Sequence, residues 1–163
     1  MLKIKKKYLL ILLILILTFS VVALGFSLYK KSRPQTSYLT APRISQRQAI
    51  SQAQLICIAK VKQQTAKQIK YHNTMYTAYK VYVTQVLKGA TNQNNLVLYR
   101  AGYRNKKTGS YVLYKNDSIP LVGKSYIFIL SKKGNHYYAN APITMEKNNT
   151  QTTKRIKTLI SNN

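Results

Sequence analysis

Apolar and polar positions follow three different rhythms along this chain. From Tyr8 to Tyr29 (YLLILLILILTFSVVALGFSLY) there is no alternation: 22 residues carry no charge, and Leu and Ile fall on every helical face. At about 1.5 Å per helical residue the run reaches roughly 33 Å, enough to cross a hydrocarbon core of about 30 Å, so a transmembrane helix is expected over residues 8–29. From Lys30 to Pro42 (KKSRPQTSYLTAP), two prolines among polar residues predict an extended, solvated stalk. Ile44 to Gln54 then sets Ile44, Ala49, Ile50 and Ala53 on one face behind Ser45, which predicts a short, N-capped helix.

From Leu55 the period falls to two. Leu55, Cys57, Ala59 and Val61 alternate with Ile56, Ile58, Lys60 and Lys62, a strand that begins buried on both faces and ends with one face wet. Gln63 to Asn73 is polar and is expected to be a loop. Met75 to Leu87 is the clearest strand, with Thr77, Tyr79, Val81 and Val83 on one face and Tyr76, Lys80, Tyr82 and Thr84 on the other; Lys88-Gly89 ends it. Its length suits a coiled strand that serves two parts of a barrel. Asn95 to Ala101 gives a third strand, and Tyr103 to Tyr114 a hairpin turning at Asn105–Gly109, with a further turn at Asn116-Asp117-Ser118. Val122 to Leu130 and His136 to Ala141 form the last hairpin through Lys132-Lys133-Gly134-Asn135. The tail holds one helical candidate, Thr150 to Ile160.

The expected organisation is a basic segment at 1–7, the apolar span at 8–29, the stalk at 30–43, a β-domain at 44–142 and a polar tail with a short helix at 143–163. An open sheet of long-edged strands invites edge-to-edge association, and five or six strands are few for two good sheets, so closure into a small barrel like the oligonucleotide/oligosaccharide-binding (OB) fold is the expected architecture. The order Tyr79-x-Val81-x-Val83-x-x-Val86-Leu87-Lys88-Gly89, then Leu96-Val97-Leu98, then Pro120-Leu121-Val122-Gly123-Lys124-x-Tyr126-Ile127-Phe128-Ile129 carries a resemblance over roughly positions 54 to 141. It resembles exported, Gram-positive-like bacterial proteins of unassigned function whose barrels are like those of netrin modules and tissue inhibitors of metalloproteinases. The resemblance supports a mainly β fold more than it supports any activity. This chain lacks the N-terminal cysteine on which the metalloproteinase inhibitors depend, so no inhibitory mechanism is implied.

Charge changes the picture more than composition does. The chain has 27 Lys plus Arg against two acidic residues, Asp117 and Glu146, for a formal net charge of +25. Seven of the basic residues lie between positions 3 and 33, which leaves twenty against two beyond the stalk's start, a net +18. Lys3, Lys5, Lys6 and Lys7 outnumber Lys30, Lys31 and Arg33, so the positive-inside rule puts the N-terminus in the cytoplasm and the β-domain outside the cell. Cleavage at Val21-Val22-Ala23 or Ala23-Leu24-Gly25, giving a secreted form, is the competing outcome. A domain this cationic is expected to associate with polyanions: anionic cell-wall polymers, lipid headgroups or nucleic acid.

Candidate chemistry is sparse. The lone Cys57 cannot form an intramolecular disulfide, and its alternation with Leu55 and Ala59 marks a small buried hydrophobe. Asp117 sits in a turn where capping its own backbone is the ordinary use, and His72 and His136 have no nearby Cys, Asp or Glu. No nucleophile elbow and no phosphate-cradling glycine loop is present, so no catalytic, cofactor or metal set is assigned. Tyrosine interleaved with basic residues remains: Lys60, Lys62, Lys80, Tyr82, Arg100, Tyr103, Arg104, Lys106 and Lys107 are the expected polyanion contacts, combining charge with ring stacking. The leading expectation is a non-enzymatic, membrane-anchored surface module on anionic envelope polymers; the alternative is an exported nucleic-acid binder for DNA transfer. Alkaline carbonate extraction is expected to leave the full chain in the membrane pellet. A soluble form beginning near Leu24 or Phe26 would show cleavage instead.

Overall fold

Strand Leu55–Tyr71 hydrogen-bonds along both of its edges, and the architecture follows from that double pairing. The computed structural model describes residues 11, 14–22, 36–71, 73–105 and 107–163, and the chain divides into two units, Met1–Gln35 and Thr36–Asn163. In the first unit the described residues, Ile11 and 14–22, are helical and exposed. Among the described residues no helix is long and apolar enough to cross a membrane, and the remainder of the 8–29 run lies outside them.

The second unit is mainly β. Its strands are Thr36–Leu39 (β1), Leu55–Tyr71 (β2), Thr74–Lys88 (β3), Asn95–Ala101 (β4), Tyr103–Arg104 (β5), Tyr111–Tyr114 (β6), Ser125–Lys133 (β7), His136–Ala139 (β8) and Met145–Lys147 (β9). Two helices, Gln46–Gln52 (α1) and Thr150–Ser161 (α2), and a 3-10 turn at Pro142–Thr144 complete it. One sheet runs β2-β3-β4-β8-β7-β9, and β2 also pairs with β7, so the pairings β2–β3–β4–β8–β7 lead back to β2. The β4–β8 pair is parallel and the others in this course are antiparallel. A second sheet has the order β1-β6-β5.

Alternation explains the packing. Leu55, Cys57, Ala59 and Val61 of β2 meet Tyr79, Val81 and Val83 of β3, Leu98 of β4, and Phe128 and Leu130 of β7 in one buried cluster. The opposite face of β2 and β7, through Ile56, Ile58, Ile127 and Ile129, is covered by Ala49 and Ile50 of α1 and Ile156 of α2. A third cluster joins Tyr76, Tyr99 and Tyr138 to Tyr114 of β6, with Leu39 of β1 packed against it. Several of the tyrosines that the sequence interleaves with cations therefore bury their rings in the fold.

Ser45 accepts from the Gln48 backbone N–H at 3.1 Å, the expected cap of α1. Gly89 ends β3 at φ +79°, and a Cβ there would lie 2.1 Å from the Gln54 carbonyl oxygen, so glycine is required by both conformation and space.

Four expectations are corrected. The segment expected as a loop from Gln63 continues β2 as far as Tyr71, paired with β3 at Gln64↔Tyr79, Gln68↔Thr77 and Tyr71↔Thr74. Register shifts between Val61 and Gln63 and between Gln64 and Gln68 insert extra residues, and each breaks the alternation that would have betrayed a strand. The stalk is extended and mostly exposed at Thr36–Leu39, but it is paired rather than free, since β1 lies parallel to β6. The tail is integral, because β9 pairs with β7 and Ile156 is fully buried. Val122 lies outside β7, in a turn closed by Gly123 at φ +84°.

Cys57 has no solvent exposure, and burial pushes its thiol up to about 12. A raised thiol pKa leaves the unreactive protonated form in place at every pH below that value. The folded protein is expected to resist thiol reagents at pH 8 and to react stoichiometrically once denatured; rapid labelling without denaturant would contradict this.

A candidate binding groove and a buried ion pair

The outward positions of β3 and β4 build a concave surface. Tyr79, Val81, Leu96 and Leu98 point into the interior, so the alternation turns Ala78 and Lys80 of β3 and Asn95, Val97 and Tyr99 of β4 the other way. The extension of β2 adds Gln63, Thr65 and Lys67, and the β7–β8 turn adds Asn135, His136 and Tyr137. Together they line an open groove of about 640 Å³. Its chemistry is mixed: amides and a hydroxyl at Gln63, Asn95, Asn135 and Thr65, an apolar surface at Val97, which is 45 % exposed, and ammonium groups on Lys67 and Lys80.

Rings brace the groove more than they offer themselves to a ligand. Tyr99 is 2 % exposed and stacks on Tyr138 with centroids 5.5 Å apart, while His136 lies 5.0 Å from it. Lys67 sets its ammonium 5.9 Å from the Tyr99 centroid, and Lys132 is 5.6 Å from that of Tyr137. Such a surface can hold anionic and neutral polar groups together. Among the described residues no group of three or more His, Cys, Asp or Glu could hold a metal ion.

The structure gathers part of the expected contact set. Lys60 pairs directly with Tyr82 across the β2–β3 ladder, Lys62 places its ammonium 5.3 Å from the Tyr82 ring, and Lys80 lines the groove. Tyr103, Arg104 and Lys107 belong to the other sheet and its β5–β6 turn, where the Arg104 guanidinium lies 5.7 Å from the Tyr111 ring. Lys106 and His72 lie outside the described residues. Lys67, His136 and Tyr137 are additions to the expected contacts: Lys67 falls in the segment expected as a loop, and the other two join the groove only through the parallel β4–β8 pairing.

Arg100 is the correction of most consequence. It is 2 % exposed, and one guanidinium nitrogen donates to the Ala139 and Ala141 carbonyls at 3.3 and 2.8 Å and to Thr144 Oγ1 at 3.1 Å. The other donates to the carboxylate of Asp117, whose side chain is also 2 % exposed. Burial works against the guanidinium's charge and lowers its pKa, and the Asp117 carboxylate opposes that shift. The same carboxylate oxygen accepts from the Ser118 backbone N–H at 2.7 Å, the capping use expected of a turn aspartate. Glu146, the second acid, pairs with Arg155 and accepts from Gln46.

No protein-family model matches the sequence, and no curated protein matches it.

Breaking a buried pair strands the remaining charge. Asp117→Ala is expected to lower the unfolding free energy by roughly 3–5 kcal/mol, and adding Arg100→Met to recover a substantial part of the loss. Denaturant unfolding of both variants checks this; a loss below about 1 kcal/mol for Asp117→Ala would place the pair outside the fold's essential contacts.

Proposed function

We propose that this chain is a non-enzymatic, membrane-anchored surface module in which residues 8–29 span the membrane and the cyclic pairing β2–β3–β4–β8–β7 is a small OB-like barrel with a cationic exterior. The N-terminus lies in the cytoplasm, the barrel faces the envelope, and its ligands are anionic envelope polymers. The β-strand order and the parallel β4–β8 pair support the barrel reading.

One observation carries the ligand class. Both acidic side chains of the chain are committed within the folded unit, Asp117 to Arg100 and Glu146 to Arg155. Eighteen of the twenty basic residues beyond the stalk's start therefore have no side-chain carboxylate left to pair with. Lys60, Lys62, Lys67, Lys80, Arg104, Lys107, Lys124, Lys132 and Lys133 are exposed. Tyrosine rings face some of them, but their counter-ions come from outside the molecule, and a polyanion supplies these with a gain in counterion entropy.

Binding of polyphosphate to the full chain in phosphatidylcholine vesicles tests this reading. Affinity is expected to fall by about 10³ or more between roughly 50 and 200 mM salt if six phosphates are contacted. Lys60→Gln with Lys62→Gln should weaken binding modestly and lower the salt slope by about 2. Binding that survives high salt and vanishes with Tyr82→Ala alone would overturn the distributed-field reading and favour a shaped site for bases or sugars.

A further inference from the structure

Leu121 and Val122 stand side by side in the turn before β7, each 59 % exposed, more than any other large aliphatic side chain described in the second unit. Isolated exposed apolar residues are ordinary, but this pair is held out by a rigid frame. The Val61 N–H donates to the Lys124 carbonyl at 2.9 Å, and the Gly123 N–H donates back to the Val61 carbonyl at 2.8 Å. Lys124 N–H donates to the Leu121 carbonyl at 3.1 Å, and Leu121 N–H to the Tyr126 hydroxyl oxygen at 3.1 Å. The chain is fixed against β2 and β7, so little backbone entropy remains to be lost when a partner covers the tip.

Four lysines belong to the turn and to the strands that frame it. Lys124 belongs to the turn, Lys60 pairs with Ser125, Lys62 follows Val61 in the bulged stretch of β2, and Lys147 pairs with Tyr126. All four lysines are exposed, and neither acidic side chain balances them, since Asp117 is buried against Arg100 and Glu146 is paired with Arg155. Beside the tip, Lys124 and Lys147 also line a cleft of about 360 Å³.

We propose that this tip is a docking site for an anionic lipid bilayer, with Leu121 and Val122 entering the boundary between headgroups and acyl chains and Lys60, Lys62, Lys124 and Lys147 contacting the lipid phosphates. The inference rests on the polyanion-binding reading and narrows it. A soluble polyanion satisfies the four ammonium groups but gives two aliphatic side chains nowhere to go. An anionic bilayer satisfies both, because lysine stems lie along apolar material while their heads remain in the phosphate layer.

The chain contains no tryptophan, so Leu121→Trp is a clean reporter. The full-length variant is reconstituted in phosphatidylglycerol/phosphatidylcholine vesicles and in phosphatidylcholine vesicles, each with and without acyl-chain-brominated lipid. Emission in the anionic vesicles is expected to shift to the blue and to be quenched by bromine, and in phosphatidylcholine to stay red and unquenched. Asn92→Trp, at an exposed position before β4, is expected to stay red and unquenched in both. Adding Lys124→Glu and Lys147→Glu to the Leu121→Trp chain should abolish the quenching while circular dichroism and melting temperature stay unchanged. Red, unquenched emission at position 121 in anionic vesicles, or equal quenching in both lipids, overturns the proposal. A blue shift caused by polyphosphate added to phosphatidylcholine vesicles would make the tip a polymer contact and overturn it too. If polyphosphate still binds while the indole of the Leu121→Trp variant stays exposed, the lipid site alone fails; if polyphosphate binding is also absent, the polyanion reading fails with it.

Discussion

The guanidinium of Arg100 ties together four separate stretches of the second unit. From β4 it reaches the end of β8, the 3-10 turn that follows and the Asp117 turn between β6 and β7. An arginine buried this deeply is tolerable only if its charge is matched, and the matching carboxylate is one of two acidic side chains in the whole chain. The interior thus takes an acid that the surface would otherwise present, and the Glu146–Arg155 contact takes the other. Fold and surface electrostatics are in this sense one problem: the same pair that ties β4 to the turn after β6 takes one of the chain's two acids off the exterior.

A surface of that kind has consequences beyond its own ligands. Like charges around a small unit repel one another and lower the stability of the compact state, and salt screens the repulsion with a decay length of about 8 Å at physiological ionic strength. Dense packing in three apolar clusters opposes it, with the isoleucines outside β2 and β7 covered by α1 and α2. Several tyrosines contribute here rather than at the surface: the rings of Tyr76, Tyr99 and Tyr138 form contacts among themselves and with Tyr71, whereas Tyr38, 64 % exposed, and Tyr82, 37 % exposed, leave ring surface open to a ligand.

Much of the β framework was legible because period-two alternation reports a strand with distinct faces. Tyr79, Val81 and Val83, and Leu96 and Leu98, fall on the interior side where their spacing puts them. The same spacing carries on to Arg100, and an inward position was there to be read; charge argued for the surface, and only the distant Asp117, out of reach of any local pattern, makes the inward placement possible. The second half of β2 was hidden for a different reason, since bulges beyond Val61 scramble the alternation while the hydrogen bonds to β3 continue. Ile56 and Ile58 opposite the buried face of β2 signalled that something must cover them, but nothing local to Ile156 said that α2 would do so. The groove was legible only in part: Lys80 sits on a recognisable strand, whereas His136 and Tyr137 join it through a parallel pairing between segments distant in the chain.

The central claim is that exterior charge, rather than a shaped pocket, selects the partner. The most direct measurement compares the full chain's affinity, at one fixed low salt concentration, for polyphosphate, wall teichoic acid and single-stranded DNA matched for length in charges. The account predicts similar affinities that decline in parallel as salt is raised, because phosphate spacing and number govern the release of counterions. One polymer that binds far more tightly than the others and keeps its advantage at high salt would contradict it.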